Sequence, residues 1–226
     1  MDIEGSALLH TANNFGIGLL WRIGRRMNRN IGFIQRKFVT PARPSGADGQ
    51  LRLHIGCGEI NSQYFTNIDA LPYPHVHIVR DDIMHLPMFQ DSSVDMVYMC
   101  HVLEHVPRRQ LDDVIREMGR VLMPGGTFRL SVPDFDLLLV MYQDAGNDVA
   151  AIADPLLGSY NNSYDIHYAV FNRTYLEQLL LRNGFREVRS WDPLKCEFHD
   201  FDDWASKTIE QGGKQYPVSL NIEGIK

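Results

Sequence analysis

This sequence has little cysteine, no long apolar run and no overall excess of basic residues. Its three cysteines lie far apart in the 226 residues and predict reduced thiols of an intracellular protein: Cys57, Cys100 and Cys196. No apolar run approaches the roughly 18 residues of a membrane span, and the first residues do not resemble a signal peptide. The formal net charge is −6, so we expect no nucleic-acid partner, because phosphate binding needs clustered cations.

The positive charge that is present is concentrated near the start. Residues 1–47 contain seven Lys and Arg residues against two acidic ones, whereas residues 48–226 contain 15 against 26. Within 15–37, apolar residues at helical spacing oppose arginines: Leu20, Ile23, Met27, Ile31 and Ile34 against Arg22, Arg25, Arg26, Arg29 and Arg36. The pattern predicts an amphipathic helix, either packed on the main domain or resting on an anionic membrane surface. We assign residues 1–50 to an extension and linker.

From residue 51 onward, predicted strands alternate with helices. The strands lie near 51–55, 66–69, 76–80, 94–99, 127–132, 185–191 and 217–223, and the helices span 108–122 and 173–183, the second capped by Asn172. This alternation predicts one α/β domain over residues 51–226, with a mostly parallel sheet. The polar segment 143–168 is the candidate for a lid over the strand ends.

The first strand ends at two glycines, Gly56 and Gly58, spaced by one residue. Such a corner carries no side chain and lets a ligand lie against the backbone. Asp69 follows eleven residues after Gly58, which is too close for a full crossover helix and predicts only a short helix around 62–65. A carboxylate at that position can accept hydrogen bonds from a ribose diol. The third glycine of the dinucleotide fingerprint is absent, and so short a segment leaves no helix N-terminus well aimed at a pyrophosphate, so we expect a nucleoside without phosphates.

Polar residues also follow the third and fourth predicted strands, as Asp81-Asp82-Ile83 and Cys100-His101. This ordered series, with Leu53 to Gly58, His101 to His105 and Leu122 to Gly126, resembles the class I S-adenosylmethionine-dependent methyltransferases. More narrowly, it is similar to their small type 11 group. The resemblance covers residues 51–223. It implies a Rossmann-like, doubly wound, mostly parallel seven-stranded sheet with helices on both faces, and S-adenosyl-L-methionine as cofactor.

The resemblance also implies roles for individual residues around the cofactor. The turn of Gly56, Cys57 and Gly58 would lie against its methionyl part, and Asp69 would bind the ribose hydroxyls. Asp82, favoured over Asp81 by its spacing to Pro87, would accept from the adenine amino group, beside Ile83. His101 would lie near the methyl group.

A hydroxyl acceptor also needs a base to take its proton. We consider His167, His101 and Asp134 in that order, although Asp134 could instead cap a helix at 135–143 and His167 could be a lid residue without chemistry. By analogy with relatives in surface-polysaccharide assembly, we expect a small-molecule or glycan acceptor in the cytoplasm, with the inner membrane surface as the alternative site. The oligomeric state stays open.

Two other functions compete with methyl transfer. His101-Val102-Leu103-Glu104-His105 matches the H-x-x-E-H zinc site of inverted-motif peptidases, with Glu104 as base and distant Glu177 as the remaining acidic ligand. The pattern directly follows a predicted strand rather than lying in mid-helix, so we expect no metal site. The other alternative is a non-catalytic S-adenosylmethionine-binding module, because the third glycine is missing and the first helix is compressed.

Overall fold

A seven-stranded sheet forms the centre of the computed structural model, which describes residues 49–160 and 164–226 together with Gly24, Met27, Asn30, Ile31 and Ile34. Its strands are β1 (Arg52–Ile55), β2 (Thr66–Asp69), β3 (Ile78–Val79), β4 (Val94–Cys100), β5 (Leu122–Pro133), β6 (Glu187–Ser190) and β9 (Ser219–Ile225). They lie in the order β3-β2-β1-β4-β5-β9-β6. The pairs from β3 to β5 are parallel, and β9 is antiparallel to both β5 and β6. The predicted Rossmann-like, mostly parallel sheet is confirmed.

The described helices are α1 (Leu111–Val121), α2 (Phe135–Asp144), α3 (Ala153–Leu157) and α4 (Arg173–Arg182). Of these, α1 and α4 cover one face of the sheet. Alternate strand residues such as Leu53 and Val97 share one buried core with the apolar sides of α1 and α4, and fully burying a Leu or Val contributes about 1.5–3 kcal/mol. Asn172 caps α4 as predicted, since its side chain accepts from the Tyr175 N–H at 3.1 Å.

The opposite face of the sheet is covered, within the described ranges, by the loop that follows β6. The buried Phe65, Tyr98 and Trp191 pack there with aromatic residues of this loop. His54 is also buried, and its ring stacks on that of Phe201 at 5.6 Å between centroids. In the part of the chain that the structure describes, this second layer is therefore an aromatic loop rather than a helix.

Two local predictions near β1 and β5 are wrong. The predicted short helix around 62–65 is a turn, in which the Ser62 hydroxyl accepts from the Tyr64 N–H at 3.3 Å and Phe65 enters the aromatic layer. The segment Pro124–Gly126 does not simply separate α1 from the next strand. It forms an irregularity inside β5, where Val94 pairs with Leu122 but Met96 pairs with Thr127.

Two segments without predicted helices or strands contain regular structure. The predicted lid contains a 3₁₀ turn at Val149–Ile152 and the short helix α3, and its residues 161–163 lie outside the described part. A separate hairpin, β7 (Thr208–Gln211) with β8 (Lys214–Pro217), precedes β9. Its turn is Gly212-Gly213, both at positive φ, a hairpin signal that the sequence reasoning overlooked.

The N-terminal segment is described only in part. Met27, Ile31 and Ile34 are helical, as predicted, and 58%, 46% and 59% of their surface is exposed. These three side chains are therefore exposed to about half of their surface. The other residues named for this helix and the linker lie outside the described part. No helix among the described residues is long and apolar enough to cross a bilayer.

Candidate active site at the carboxyl ends of the strands

The glycine turn after β1 is held tightly on one side and open on the other. The N–H groups of Gly56 and Cys57 both donate to the Ile68 carbonyl, at 2.8 and 3.3 Å. Gly56 has φ +67°, and an added Cβ would lie 2.3 Å from Val102 Cγ2. Gly58 has φ +55°, but a Cβ there would meet no atom within 4 Å. Gly56 therefore allows close packing, whereas Gly58 leaves bare backbone at the edge of the sheet.

Asp69, at the end of β2, connects this turn to the neighbouring strand. Its Oδ2 accepts from the Gly58 N–H at 2.7 Å, and its Oδ1 accepts from the Leu71 N–H at 2.7 Å. The carboxylate thus caps the turn that follows β2 and also fixes the glycine corner.

Two residues that the sequence reasoning missed lie against the same turn. His75 donates through Nε2 to the Gly58 carbonyl at 2.9 Å, and its ring stacks on Tyr73 at 5.8 Å. Burial lowers the pKa of His75, so the imidazole is neutral at pH 7. The buried side chain of Cys57 packs with Tyr73 and Val76, and its N–H and carbonyl bond to the Ile68 carbonyl and the Ile60 N–H, so this residue shapes the turn. The Tyr-Pro-His sequence after β2 was the available signal.

Asp82, which the sequence favours over Asp81, is held by its own neighbours after β3. Asp82 Oδ1 accepts from the Met84 N–H at 3.0 Å, and its Oδ2 lies 3.3 Å from Arg80 Nη2. Ile83 and Met84 are partly buried against the main core, whereas Asp81 is exposed.

His101, after β4, has a definite hydrogen-bonding pattern. Ser219 Oγ donates to the Trp204 carbonyl at 2.6 Å and lies 2.8 Å from His101 Nε2. Because the hydroxyl proton is used on Trp204, Nε2 must carry a proton and donate to Ser219. Nδ1 lies 3.2 Å from Glu104 Oε1. Burial lowers the pKa of His101 to about 3 and raises that of Glu104 to about 8, so both are neutral at pH 7.

His105 and His167 lie together, although 62 positions separate them in the sequence. Their ring centroids are 4.8 Å apart. Burial lowers the pKa of both histidines, that of His167 to about 4. With Glu104 they form a group whose potential ligand atoms all lie within 4.8 Å of one another.

This arrangement contradicts the inverted-motif peptidase alternative. Leu103–His105 is a 3₁₀ turn rather than part of an α-helix. Glu177, the expected distant ligand, lies in α4 and is 3.8 Å from Arg173. The zinc-hydrolase interpretation through His101, Glu104 and His105 is therefore wrong.

Asp134, directly after β5, is the N-cap of α2. Its Oδ1 accepts from the Asp136 N–H at 3.1 Å, so the capping alternative is correct for this oxygen. Burial raises the pKa of Asp134, which makes it a stronger base than an exposed aspartate.

The predicted site residues thus lie at the carboxyl ends of five adjacent strands, or beside those ends. The glycine turn, Asp69 and Asp82 follow β1, β2 and β3, and His101 and Asp134 follow β4 and β5. The carboxyl ends of parallel strands at a reversal of strand order are where open α/β sheets bind ligands. The arrangement can hold a nucleoside at β1–β3 and an acceptor beside β4 and β5.

Comparison with known proteins gives a partial match to one family and a similarity in fold. The family model described as "Methyltransferase domain" matches residues 60–130. Methyltransferase GfsG of Streptomyces halstedii is 47% identical over 53 residues, which are 24% of this chain and 17% of that protein. Sterol 4-C-methyltransferase strm-1 of Caenorhabditis elegans is 37% identical over 70 residues, which are 31% of this chain and 20% of that protein. The matched segments are therefore small parts of both relatives.

Solved structures extend the similarity over nearly the whole chain. A Thermotoga maritima protein named "SAM-dependent methyltransferase, possible histamine N-methyltransferase" aligns with 96% of this chain and 97% of its own, with 14% identity and TM-score 0.51. An S-adenosylmethionine-dependent methyltransferase from Archaeoglobus fulgidus aligns with 92% and 99%, with 16% identity and TM-score 0.50. At such identities the likeness shows the fold.

Proposed function

We infer that this protein, whose residues 60–130 belong to the methyltransferase domain family, is a class I S-adenosylmethionine-dependent methyltransferase acting on a small-molecule acceptor. The single observation that carries the proposal is the bond from the Gly58 N–H to Asp69 Oδ2 at 2.7 Å. It places bare backbone and an acidic side chain at one corner, as binding of an adenosine-containing ligand requires.

The residues at this corner fit the cofactor. The open side of Gly58 would lie against its methionyl part, with Gly56 allowing the turn to pack on Val102. The Asp69 carboxylate would accept hydrogen bonds from the ribose hydroxyls. Asp82 and Ile83 would bind the adenine, the first through its carboxylate and the second through its amide and apolar side chain.

The chain's catalytic task is to position the acceptor and remove its proton. Bound S-adenosylmethionine would supply a methyl group from its sulfonium and leave as a neutral thioether. The proton of the acceptor hydroxyl must then be taken up by a group of the protein. We assign its removal to a carboxylate oxygen of Asp134, whose pKa is raised by burial. His101 donates through Nε2 to Ser219, and we assign it to positioning beside the methyl group. Positioning can supply roughly 7–11 kcal/mol.

For the acceptor we propose a hydroxyl of a small molecule or glycan, with surface-polysaccharide biosynthesis in the cytoplasm as the setting. The N-terminal segment supports a substrate held at the inner membrane surface. Met27, Ile31 and Ile34 form an exposed apolar stripe, and the surrounding residues 15–37 are rich in arginine. Apolar insertion and attraction to anionic headgroups reinforce one another in such helices.

A vesicle assay tests the membrane part. The protein should co-sediment with phosphatidylglycerol vesicles at low salt and should not do so with phosphatidylcholine vesicles. Ile31→Glu should weaken the binding, while Leu194→Glu, a control at a side chain that is 83% exposed in the domain, should not. Equal recovery with both vesicle types would contradict this proposal.

Thermal unfolding with S-adenosylhomocysteine tests the cofactor site itself. A ligand at 100 times its dissociation constant stabilises a protein by about 2.7 kcal/mol, so a rise in melting temperature is expected at millimolar concentrations. No rise would contradict the proposal. A non-catalytic binding module predicts the same rise, and the two Asp69 bonds to backbone N–H groups are compatible with it. Only the enzyme converts S-adenosylmethionine to S-adenosylhomocysteine when a glycan acceptor pool is added.

A further inference from the structure

The group formed by Glu104, His105 and His167, which we call the Glu-His-His cluster, lies beside the acceptor end of the site. Its potential ligand atoms lie within 4.8 Å of one another. Ligand atoms around a zinc ion lie about 3.4 Å apart, given metal–ligand distances of about 2.0–2.2 Å. Small rotations of the three side chains would therefore suffice to surround an ion.

The carboxylate of Glu104 is an independent indication of a ligand. The residue is 1% exposed, and within the described part of the chain neither of its carboxylate oxygens has a hydrogen-bond partner of good geometry. His101 Nδ1 lies 3.2 Å from Oε1. A buried carboxyl group without hydrogen-bond partners is costly, and a cation between Glu104 and the two histidines would displace its proton and coordinate its oxygens.

His105 has the ring orientation of a metal ligand. Its Nδ1 lies 3.1 Å from the Ile166 carbonyl and must donate to it, because a carbonyl only accepts. In the neutral imidazole, Nε2 then carries a lone pair. A ligating histidine that donates its other N–H to a backbone carbonyl is the usual arrangement in metal sites.

The backbone around the Glu-His-His cluster holds its members in place. The Glu104 carbonyl accepts from the N–H groups of Tyr168 and Ala169, at 2.8 and 3.1 Å, and the His167 N–H donates to the Leu157 carbonyl at 3.0 Å. Gly158 makes this approach possible, since a Cβ there would lie 1.7 Å from the Asp165 carbonyl oxygen. The β4 end and the segment before α4 are thus joined at the cluster.

We propose that the Glu-His-His cluster is a binding site for a divalent transition-metal ion such as Zn²⁺, with Glu104, His105 and His167 as ligands. Two imidazoles and one carboxylate suit such ions better than Mg²⁺ or Ca²⁺, which prefer oxygen. The site replaces our expectation of no metal and gives His167 the role of ligand instead of base. Given the methyltransferase function proposed above, the ion would polarise the acceptor hydroxyl.

Titration of the full-length, chelator-treated protein with Zn²⁺ and Co²⁺ tests the proposal. Calorimetry should give one Zn²⁺ per chain, and Co²⁺ should produce visible d–d absorption that saturates at one equivalent. His167→Ala should weaken Zn²⁺ binding about 100-fold or more and remove the Co²⁺ band. His85→Ala, at an exposed histidine after β3, should change neither.

Two further measurements make the outcome decisive. Glu104→Gln should also lose the ion, and circular dichroism must show both cluster variants folded; should Glu104→Gln not fold, His167→Ala decides. Absence of stoichiometric binding, or binding equally strong in His167→Ala, overturns the proposal. Titration of the same samples with S-adenosylhomocysteine separates the two hypotheses: its binding without Zn²⁺ binding refutes the metal site alone, and the reverse refutes the proposed function alone.

Discussion

Replacing Asp69 by Asn perturbs the corner between β1 and β2 with almost no change in shape. The carboxylate accepts from the N–H groups of Gly58 and Leu71, both at 2.7 Å. An amide can offer an oxygen to only one of them, because its NH₂ group would face the other donor. One N–H of a partly buried pair therefore loses its acceptor, and the surviving bond loses its charge.

The expected magnitude follows from these two bonds. A hydrogen bond to a charged group contributes about 1.5–3 kcal/mol, so Asp69→Asn should lower the free energy of unfolding by about 1.5–3 kcal/mol. The ribose contact loses charge in the same way, and an equal loss would weaken S-adenosylhomocysteine binding about 10- to 150-fold.

Urea unfolding and isothermal titration calorimetry measure the two effects of Asp69→Asn separately. Asp200→Asn, at an exposed aspartate in the loop after β6, is the matched control and should change neither. Unchanged affinity in a folded Asp69→Asn protein would refute the assignment of Asp69 to the ribose. Unchanged stability would refute the role of its carboxylate in joining the strand ends.

Two further predictions concern the glycine corner and the aromatic layer. Gly56→Ala should lower the free energy of unfolding by about 2–4 kcal/mol in a denaturant titration, because the added Cβ would lie 2.3 Å from Val102 and strain at positive φ adds to the overpacking. Gly58→Ala lacks that clash and should lower the free energy of unfolding by only about 1 kcal/mol. Equal losses in the two variants would contradict this prediction. Burial lowers the pKa of His54 in the folded protein to about 3. As the pH falls below 6.5, this histidine is therefore protonated in the unfolded state before it is protonated in the folded state. The stability that the neutral His54 contributes above pH 6.5 is lost as the pH falls toward 3. His54→Leu should flatten this loss by about 1.4 kcal/mol per pH unit between pH 6 and 4, and an unchanged slope in urea unfolding would contradict the assignment.

Much of the sheet could be predicted because each central strand is a short apolar run that ends at glycine or a polar residue. The run before Gly56 and the run before Asp69 place both strand ends within a residue of the structure. Because the strands pair in parallel, their carboxyl ends then lie side by side along the same end of the sheet. The residues that follow the strands were predictable for this reason.

The Glu-His-His cluster and the aromatic layer were not predictable in the same way. His167 reaches His105 through a loop whose path depends on Gly158, and no periodic pattern reports such a contact. The aromatic residues after β6 have neither helical nor strand spacing, so their packing on Tyr98 leaves no signature in the sequence. The turn at 62–65 was predicted as a helix because only its length, and not its local hydrogen bonds, was considered.

A crystal structure with bound S-adenosylhomocysteine tests the central assignment most directly. We expect the ribose hydroxyls within hydrogen-bonding distance of Asp69, the adenine beside Ile83, and the amino-acid part against Gly58. Density for the nucleoside at any other place on the molecule, with the β1–β2 corner unchanged, would contradict the account.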